Sequence, residues 1–255
     1  MPYFVASVSW GKDSLALVLR LIEENYQLNE VVSYNNGAEF EAIYATRDRV
    51  IPLLESKGIK YTELKPKRDF FYDMLERPVE SKQNGCHKGW GWCGGACRWG
   101  TKEKTIAIDE YKKTLGVDIV EYVGIAADEP DRIKDKTYPL VEWGMTEADC
   151  LQYCYDRCYF WEENGIRLYD ILDRVSCWCC SNKNLKELKN IYTYMPEYWA
   201  RLKYLQSKID KPLKRYKNKK YGMYGNVFDL EKVFAGEDKI ERQISLFDVP
   251  ARNKK

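Results

Sequence analysis

The segment Phe4-Val5-Ala6-Ser7-Val8-Ser9-Trp10-Gly11-Lys12-Asp13-Ser14, followed by Leu15-Ala16-Leu17-Val18-Leu19-Arg20-Leu21-Ile22, decides the fold. Its first five residues predict a buried β-strand, and the residues after Ser14 predict an amphipathic helix. A strand that passes directly into a helix is typical of a phosphate-binding loop, because the N–H groups and the positive end of the helix face an anion. Gly11 lets the backbone approach such an anion closely, and Lys12 adds a full positive charge.

The hexapeptide Ser9–Ser14 resembles the pyrophosphate loop (PP-loop) of ATP pyrophosphatases and of the phosphoadenosine phosphosulfate (PAPS) reductase family, whose pattern is Ser-Gly-Gly-Lys-Asp-Ser. Trp10 replaces the first glycine of that pattern. A Walker A loop fits less well, because Asp13 follows Lys12 where that motif requires Ser or Thr. The alternative interpretation is a capped turn between a strand and a helix, with a surface lysine.

Three later segments resemble the same family, in the order that the family requires. Asn35-Asn36-Gly37-Ala38-Glu39-Phe40 resembles its Asp-Thr-Gly-x-Glu-Phe turn. Tyr122-Val123-Gly124-Ile125-Ala126-Ala127-Asp128-Glu129, then Arg132, resembles its Gly-Ile-Arg-x-Asp-Glu-Ser segment, with alanine in place of the arginine. The stretch from Tyr138 to Asp149 resembles its Pro-Leu-x-x-Trp-x-x-x-Asp helix start, where Thr146 and Asp149 predict a capping box.

Alternating strands and helices predict an α/β fold: a doubly wound, mostly parallel sheet of the Rossmann-like, PP-loop type, with a cysteine-rich helical C-terminal part. The predicted strands are Phe4–Val8, Val31–Tyr34, Lys60–Leu64 and Ile119–Val123, and the predicted helices are Leu15–Ile22, Phe40–Lys57 and Asn184–Lys208. We expect a nucleotide-binding domain with a metal site over residues 1–180, a helical and basic extension over 181–235 and a flexible tail over 236–255. Because ligands of such sheets bind at the carboxyl ends of the strands, the Ser9 loop, the Asn36–Gly37 turn and Gly124 should converge.

The resemblance implies a site for ATP or a PAPS-like adenine nucleotide, with Mg²⁺ held partly by Asp13. The catalytic residues that it implies are Lys12, Asp13 and Ser14. The nucleotide-binding residues that it implies are Ser9, Gly11, Lys12, Asp13, Ser14, Asn36, Gly37, Glu39, Arg98, Lys102, Lys104, Gly124, Asp128, Glu129 and Arg132. For Asp128 and Glu129 the alternative is a solvated pair of loop residues before Pro130.

Nine cysteines, an odd number, favour metal ligation or redox chemistry over a disulfide framework. The predicted ligands form two closely spaced pairs, Cys93 with Cys97 and Cys177 with Cys180. Four thiolates can hold a [4Fe-4S] cluster or Zn²⁺, and the interval between the pairs resembles that of iron-sulfur adenylylsulfate reductases, which favours iron. Cys86 is the first substitute for Cys93, and Cys179 and His87 are further candidates. Cys150, Cys154 and Cys158 recur every four residues, so we expect buried, unligated thiols along one helical face.

The histidine and cysteine content limits the reactions that the chain can catalyse. His87 is the single histidine, which disfavours Ser-His-Asp and zinc-hydrolase mechanisms. No cysteine follows Cys180, whereas sulfonucleotide reductases carry a nucleophilic cysteine in a C-terminal tail. The resemblance therefore favours the branch of the family that activates a target with ATP and supports sulfur transfer to DNA or tRNA. The alternatives are a reductase of PAPS or adenylylsulfate that produces sulfite, and a non-catalytic nucleotide-binding module docked on DNA machinery.

The formal net charge of +2 means that affinity for nucleic acid must come from a local patch. The basic run Lys211–Tyr221 suits phosphate contacts with base stacking, although a solvated linker explains it equally well. Gln243–Phe247 resembles the short motif by which bacterial DNA-processing proteins dock on the sliding clamp; the alternative is a tail that folds back on its own domain. No apolar run approaches membrane-spanning length and the first strand begins almost at Met1, so we expect a cytoplasmic protein without a membrane partner.

Overall fold

The computed structural model describes residues 2–81, 85–95, 97–218 and 222–236. The strands are β1 (Tyr3–Val8), β2 (Glu30–Tyr34), β3 (Lys60–Leu64), β4 (Pro78–Ser81), β5 (Gly85–Lys88), β6 (Ile119–Val123), β7 (Glu162–Glu163), β8 (Ile166–Arg167), β9 (Tyr216–Asn218) and β10 (Gly222–Tyr224). The α-helices are α1 (Lys12–Glu23), α2 (Glu41–Ser56), α3 (Phe70–Leu75), α4 (Lys104–Thr114), α5 (Pro139–Glu142), α6 (Glu147–Asp156), α7 (Leu168–Ile171), α8 (Leu185–Tyr194) and α9 (Pro196–Lys208). A π-helical turn spans Arg98–Glu103, a 3₁₀ turn spans Pro130–Arg132, and a further helix covers residues 227–236.

The described residues form two compact units. Unit 1 comprises the chain up to Asp73 together with Gly95–Trp178. Unit 2 comprises Met74–Gly94 and the described residues from Cys179 onward.

Unit 1 is built on a four-stranded parallel sheet in the order β3-β2-β1-β6. Ala6 in the middle of β1 pairs with Val31 of β2 on one side and with Tyr122 of β6 on the other. The predicted α/β fold with a parallel sheet flanked by helices is confirmed. β2 and β3 lie on one side of β1, and β6 lies on the other side, so the strand order reverses between β1 and β6. Ligands of open α/β sheets bind at such a switch point.

The core of unit 1 explains why its first strand and helix form. Val5, Ala6 and Val8 of β1 are fully buried, as are Leu15 and Leu17 of α1. Each buried leucine stabilises the fold by about 1.5–3 kcal/mol through the apolar surface that it removes from water. This packing fixes the position of the loop between β1 and α1.

The structure corrects two predictions about helices. The predicted helix Asn184–Lys208 is interrupted after Tyr194, because Pro196 lacks an N–H donor and begins a new helix, α9. Cys158 does not share the buried face of Cys150 and Cys154: α6 ends at Asp156, and Cys158 is exposed with a φ of 61°. The predicted capping box of Thr146 and Asp149 is present at the start of α6.

Unit 2 contains the antiparallel hairpins β4–β5 and β9–β10 and the helices α8 and α9. Leu188 and Ile191 of α8 are fully buried, and Trp199 and Leu202 of α9 are almost so. The predicted clamp motif Gln243–Phe247 lies outside the described residues. Among the helices that are described, none is both long enough and apolar enough to cross a bilayer.

Candidate nucleotide-binding site

A cavity of about 230 Å³ opens in unit 1 beside the loop between β1 and α1. Eight of its lining residues are predicted nucleotide-binding residues: Ser9, Gly11, Lys12, Asp13, Ser14, Gly124, Glu129 and Arg132. Glu147, Tyr169, Asp173 and Arg174, which the sequence motifs do not predict as ligands, also line the cavity. The residues around the β1–α1 loop and the residues after β6 therefore do converge in space.

Trp10 has a backbone conformation that favours glycine. Its φ is 61°, in the left-handed region, which costs a bulky residue about 1–2 kcal/mol. Two contacts offset that cost: the Trp10 carbonyl accepts a hydrogen bond of 2.7 Å from Trp161 Nε1, and the Trp10 ring packs edge-on against Tyr61. These contacts hold Trp10 in the left-handed conformation at the turn of the loop.

The loop is closed by a small network of serine hydrogen bonds. Ser9 N donates to Ser14 Oγ over 3.2 Å, and Ser14 Oγ donates to the Gly11 carbonyl over 3.1 Å. Gly11 is the N-cap residue of α1 and has no side chain with which to cap the helix. The positive end of α1 therefore faces the cavity beside Lys12.

Tyr169 covers part of that helix end. Its hydroxyl accepts a hydrogen bond of 2.9 Å from Lys12 N. A Cβ atom on Gly11 would lie 3.2 Å from this hydroxyl, so glycine leaves the room that Tyr169 occupies. Burial raises the pKa of Tyr169, which keeps its hydroxyl protonated and able to donate a hydrogen bond toward an anion.

Lys12 is held between two carboxylates. Its Nζ lies 2.8 Å from Asp13 Oδ1 and 2.7 Å from Glu147 Oε2. Burial lowers the pKa of the Lys12 ammonium, but the Asp13 and Glu147 carboxylates outweigh burial and raise it. Burial raises the pKa of Asp13. The ammonium is thus charged and placed at the cavity, with Glu147 as its distant partner in sequence.

Gly124 allows the end of β6 to touch the start of α1. A Cβ atom at this position would lie 2.9 Å from Ser14 Cα and 3.0 Å from Ser14 N, which is too close for any other residue without a shift of backbone. Beyond Gly124, Asp128 Oδ1 accepts a hydrogen bond of 3.0 Å from Glu147 N and so fixes the start of α6. Asp128 is a predicted nucleotide ligand, but it is not among the residues that line the cavity.

Glu129 and Arg132 form an ion pair at the rim of the cavity, in which one guanidinium nitrogen contacts both carboxylate oxygens. Arg132 Nη1 lies 2.7 Å from Glu129 Oε1 and 2.6 Å from Glu129 Oε2, and Arg174 Nη2 lies 3.8 Å from the same carboxylate. Both guanidinium groups therefore lie where a phosphate could replace Glu129 as their partner.

The Asn36–Gly37 turn contacts the second cysteine pair rather than the cavity. Asn36 Nδ2 donates to Cys177 Sγ over 3.0 Å, and Cys177 Sγ donates to Glu39 Oε1 over 3.5 Å. Burial lowers the pKa of Lys104, while the negative charge of Glu39 opposes that change. Asn36, Gly37, Glu39, Arg98, Lys102 and Lys104, all predicted nucleotide-binding residues, are absent from the described lining of the cavity.

The four predicted metal ligands are divided between the two units. Cys97 and Cys177 belong to unit 1, and Cys93 and Cys180 belong to unit 2, as do the substitutes Cys86, Cys179 and His87. Across residues 2–81, 85–95, 97–218 and 222–236, no group of three or more His, Cys, Asp or Glu side chains is arranged to hold a metal ion. The four-thiolate site stays a prediction from sequence.

No protein-family model matches the chain, and no curated protein sequence matches it. Among solved structures, it is similar to the U34-tRNA thiolase NcsA from Methanococcus maripaludis with its [4Fe-4S] cluster. The two share 14% sequence identity with a TM-score of 0.42, and the alignment covers 91% of this chain and 80% of that chain.

Proposed function

We propose that the chain is a PP-loop-type enzyme that binds ATP in the unit 1 cavity and cleaves it between the α- and β-phosphates. The activated acceptor would then receive sulfur, and we propose a nucleic acid as that acceptor. One observation supports the proposal above the others: Lys12 and the N-terminal end of α1 line one cavity with Gly124, which follows β6 where the sheet order reverses.

The residues of the cavity suit such a transfer. An oxygen of the acceptor attacks the α-phosphorus, the bond from that phosphorus to the bridging oxygen breaks, and pyrophosphate leaves with the electron pair. Lys12 and Arg132 supply positive charge for the leaving group, and the helix end supplies N–H donors. A sulfur nucleophile then displaces AMP from the acceptor.

Mg²⁺ suits the carboxylates beside Lys12. Asp13 and Glu147 both line the cavity and offer the hard oxygen ligands that this ion prefers. When bound with the triphosphate, Mg²⁺ would neutralise further negative charge. In its presence, Lys12 would exchange a carboxylate for a phosphate oxygen.

The test is the release of pyrophosphate and AMP from ATP by the purified chain, with bulk tRNA or DNA as acceptor and sulfide as the sulfur nucleophile. Lys12→Ala should lower the rate of pyrophosphate release by about 100-fold or more, because the variant lacks the positive charge that stabilises the leaving pyrophosphate. Lys113→Ala, on an exposed lysine of α4, is the matched control and should keep the rate of the unaltered protein.

Two ATP analogues identify the bond that breaks. An analogue with a methylene group between the α- and β-phosphates should resist cleavage, whereas one with an imido group between the β- and γ-phosphates should still yield AMP. Release of the γ-phosphate from ATP would contradict the proposal. Sulfite production from PAPS with a thiol and without ATP would identify a reductase instead, and ATP binding without turnover would identify a nucleotide-binding module.

The predicted cluster has its own test. Iron analysis and a visible absorption spectrum after anaerobic purification distinguish [4Fe-4S] from Zn²⁺ on Cys93, Cys97, Cys177 and Cys180.

A further inference from the structure

Unit 2 contains a larger cavity that the proposed chemistry does not use. It has a volume of about 620 Å³ and lies between the β4–β5 hairpin and the segment that follows α9. We call it the basic groove, and its charged lining residues are Lys88, Lys208, Lys211, Arg215 and Asp210, with His87 beside them. Four cations face one carboxylate here, in a chain whose formal net charge is only +2. The positive charge is therefore concentrated locally.

These cations are available to a ligand. Lys88, Lys208, Lys211 and Arg215 are all exposed, and within the described residues none of them forms an ion pair with a carboxylate. Lys211 Nζ donates to the Trp92 carbonyl over 3.2 Å, and Lys208 Nζ lies 5.7 Å from the centre of the exposed Tyr204 ring. By contrast, Lys12 of unit 1 is already neutralised by two carboxylates.

Contacts of buried residues fix both walls of the groove. Gln206 is buried and donates to the carbonyls of Ile209 and Lys211, over 2.7 and 3.1 Å, while its Oε1 accepts from Leu213 N. On the other wall, Gly89 has a φ of 62°, and a Cβ atom there would lie 2.2 Å from the Met74 carbonyl. The segment from Ile209 to Leu213 is thus held in place, in contrast to the solvated linker that the sequence allowed.

We propose that the basic groove binds a single-stranded stretch of nucleic acid through its phosphates. The partner is a polyanion, because four exposed cations that line one groove can each neutralise a phosphate. A single strand is favoured over a duplex, because the half-buried Trp90 lines the same groove and the exposed Tyr204 lies beside Lys208. Aromatic rings of this kind stack on unpaired bases, which a duplex does not present.

The inference rests on the proposed function in one respect, since it gives the nucleic acid acceptor of that proposal a binding surface in unit 2. It is nevertheless testable alone, because binding to the groove requires no ATP. Its cations are also distinct from every residue that we assign to the nucleotide cavity.

The experiment measures the binding of fluorescent RNA and DNA oligonucleotides of about 12 residues to the full chain by anisotropy, over a range of salt concentrations. The groove variant is Lys208→Glu with Arg215→Glu. The control is Lys57→Glu with Lys113→Glu, which changes the net charge by the same amount at exposed positions of unit 1. Thermal melting and circular dichroism confirm that each variant is folded.

We expect the groove variant to bind single strands about tenfold or more weakly than the unaltered chain, and the control to change affinity by less than about threefold. Four phosphate contacts predict that the logarithm of the binding constant falls with the logarithm of salt with a slope of about −3. Binding of RNA or of DNA supports the proposal, and the comparison shows which sugar is preferred. Equal losses in both variants, no loss in the groove variant, or tighter binding of duplex than of single strands would overturn it.

Lys12→Ala separates the two proposals. It should bind oligonucleotides like the unaltered chain while it fails to release pyrophosphate. If the groove variant keeps its affinity while Lys12→Ala abolishes pyrophosphate release, the groove assignment fails and the proposed function stands. If single strands bind through the groove while the unaltered chain releases no pyrophosphate, the proposed function fails alone.

Discussion

Among the single residues of the cavity, Glu147 helps to keep the Lys12 ammonium charged, because its carboxylate raises the pKa of Lys12. Its carboxylate lies 2.7 Å from Lys12 Nζ and lines the cavity in which we place the triphosphate. Glu147→Gln removes one negative charge from that cavity, so affinity for a nucleotide without Mg²⁺ should rise about three- to tenfold. Calorimetric titration with a slowly cleaved ATP analogue measures the change.

The control for this prediction is Glu142→Gln, which makes the same change at an exposed position of α5 and should leave the affinity unaltered. Weaker binding by Glu147→Gln would show instead that the carboxylate takes part in holding the nucleotide.

The partners of Lys12 show where residue-level prediction from the sequence ends. The loop Ser9–Ser14 was recognisable because its residues are consecutive. Glu147 and Tyr169 lie 135 and 157 residues from Lys12, and no sequence motif predicts that either residue contacts the loop. Only the packing of α6 and α7 in the fold brings them to the cavity.

At the scale of elements, the contact between β6 and α1 requires Gly124. Gly124→Ala should lower the free energy of unfolding by about 1–3 kcal/mol, because the new methyl group meets backbone atoms of Ser14 that cannot rotate away. Denaturant unfolding followed by circular dichroism gives the value.

Gly94→Ala is the matched control for that change. A Cβ atom there would meet its nearest neighbour at 3.9 Å, which is ordinary van der Waals contact. Stability should therefore stay the same or rise slightly, as the unfolded chain loses freedom. Equal stability of both variants would mean that β6 and α1 can separate without cost.

Elements were predictable where local patterns and packing agree. The strands Lys60–Leu64 and Ile119–Val123 have their predicted bounds, because β-branched and aromatic residues are concentrated there between glycine and proline residues that end a strand. The break between α8 and α9 was missed, since the apolar period continues through Met195 while Pro196 changes the backbone. Strand β9 lies within the basic run Lys211–Tyr221 and pairs with β10. The composition of that run did not distinguish a strand from a solvated linker.

Across the whole chain, the nine cysteines differ in burial, from fully buried to exposed. Cys150 and Cys154 are fully buried on α6, and Cys154 Sγ donates to the Lys12 carbonyl over 3.5 Å. Burial raises the pKa of Cys150 to about 12, with a further contribution from the nearby Asp13 carboxylate. Burial likewise raises the pKa of Cys154 well above its usual range. Both groups stay protonated at neutral pH, which makes them poor nucleophiles and poor metal ligands.

Alkylation of the folded chain should therefore separate the thiols. At about pH 8, a thiol with a pKa of about 12 is a thiolate in roughly one molecule in ten thousand, so Cys150 and Cys154 should react at least about 100-fold more slowly than exposed Cys86 and Cys158. Iodoacetamide labelling followed by peptide mass spectrometry measures each rate, and the same reaction in denaturant should label all nine cysteines. Rapid labelling of Cys154 in the folded chain would mean that α6 does not stay packed on the loop, and Lys12 would then lose the support that its ion pair with Glu147 requires.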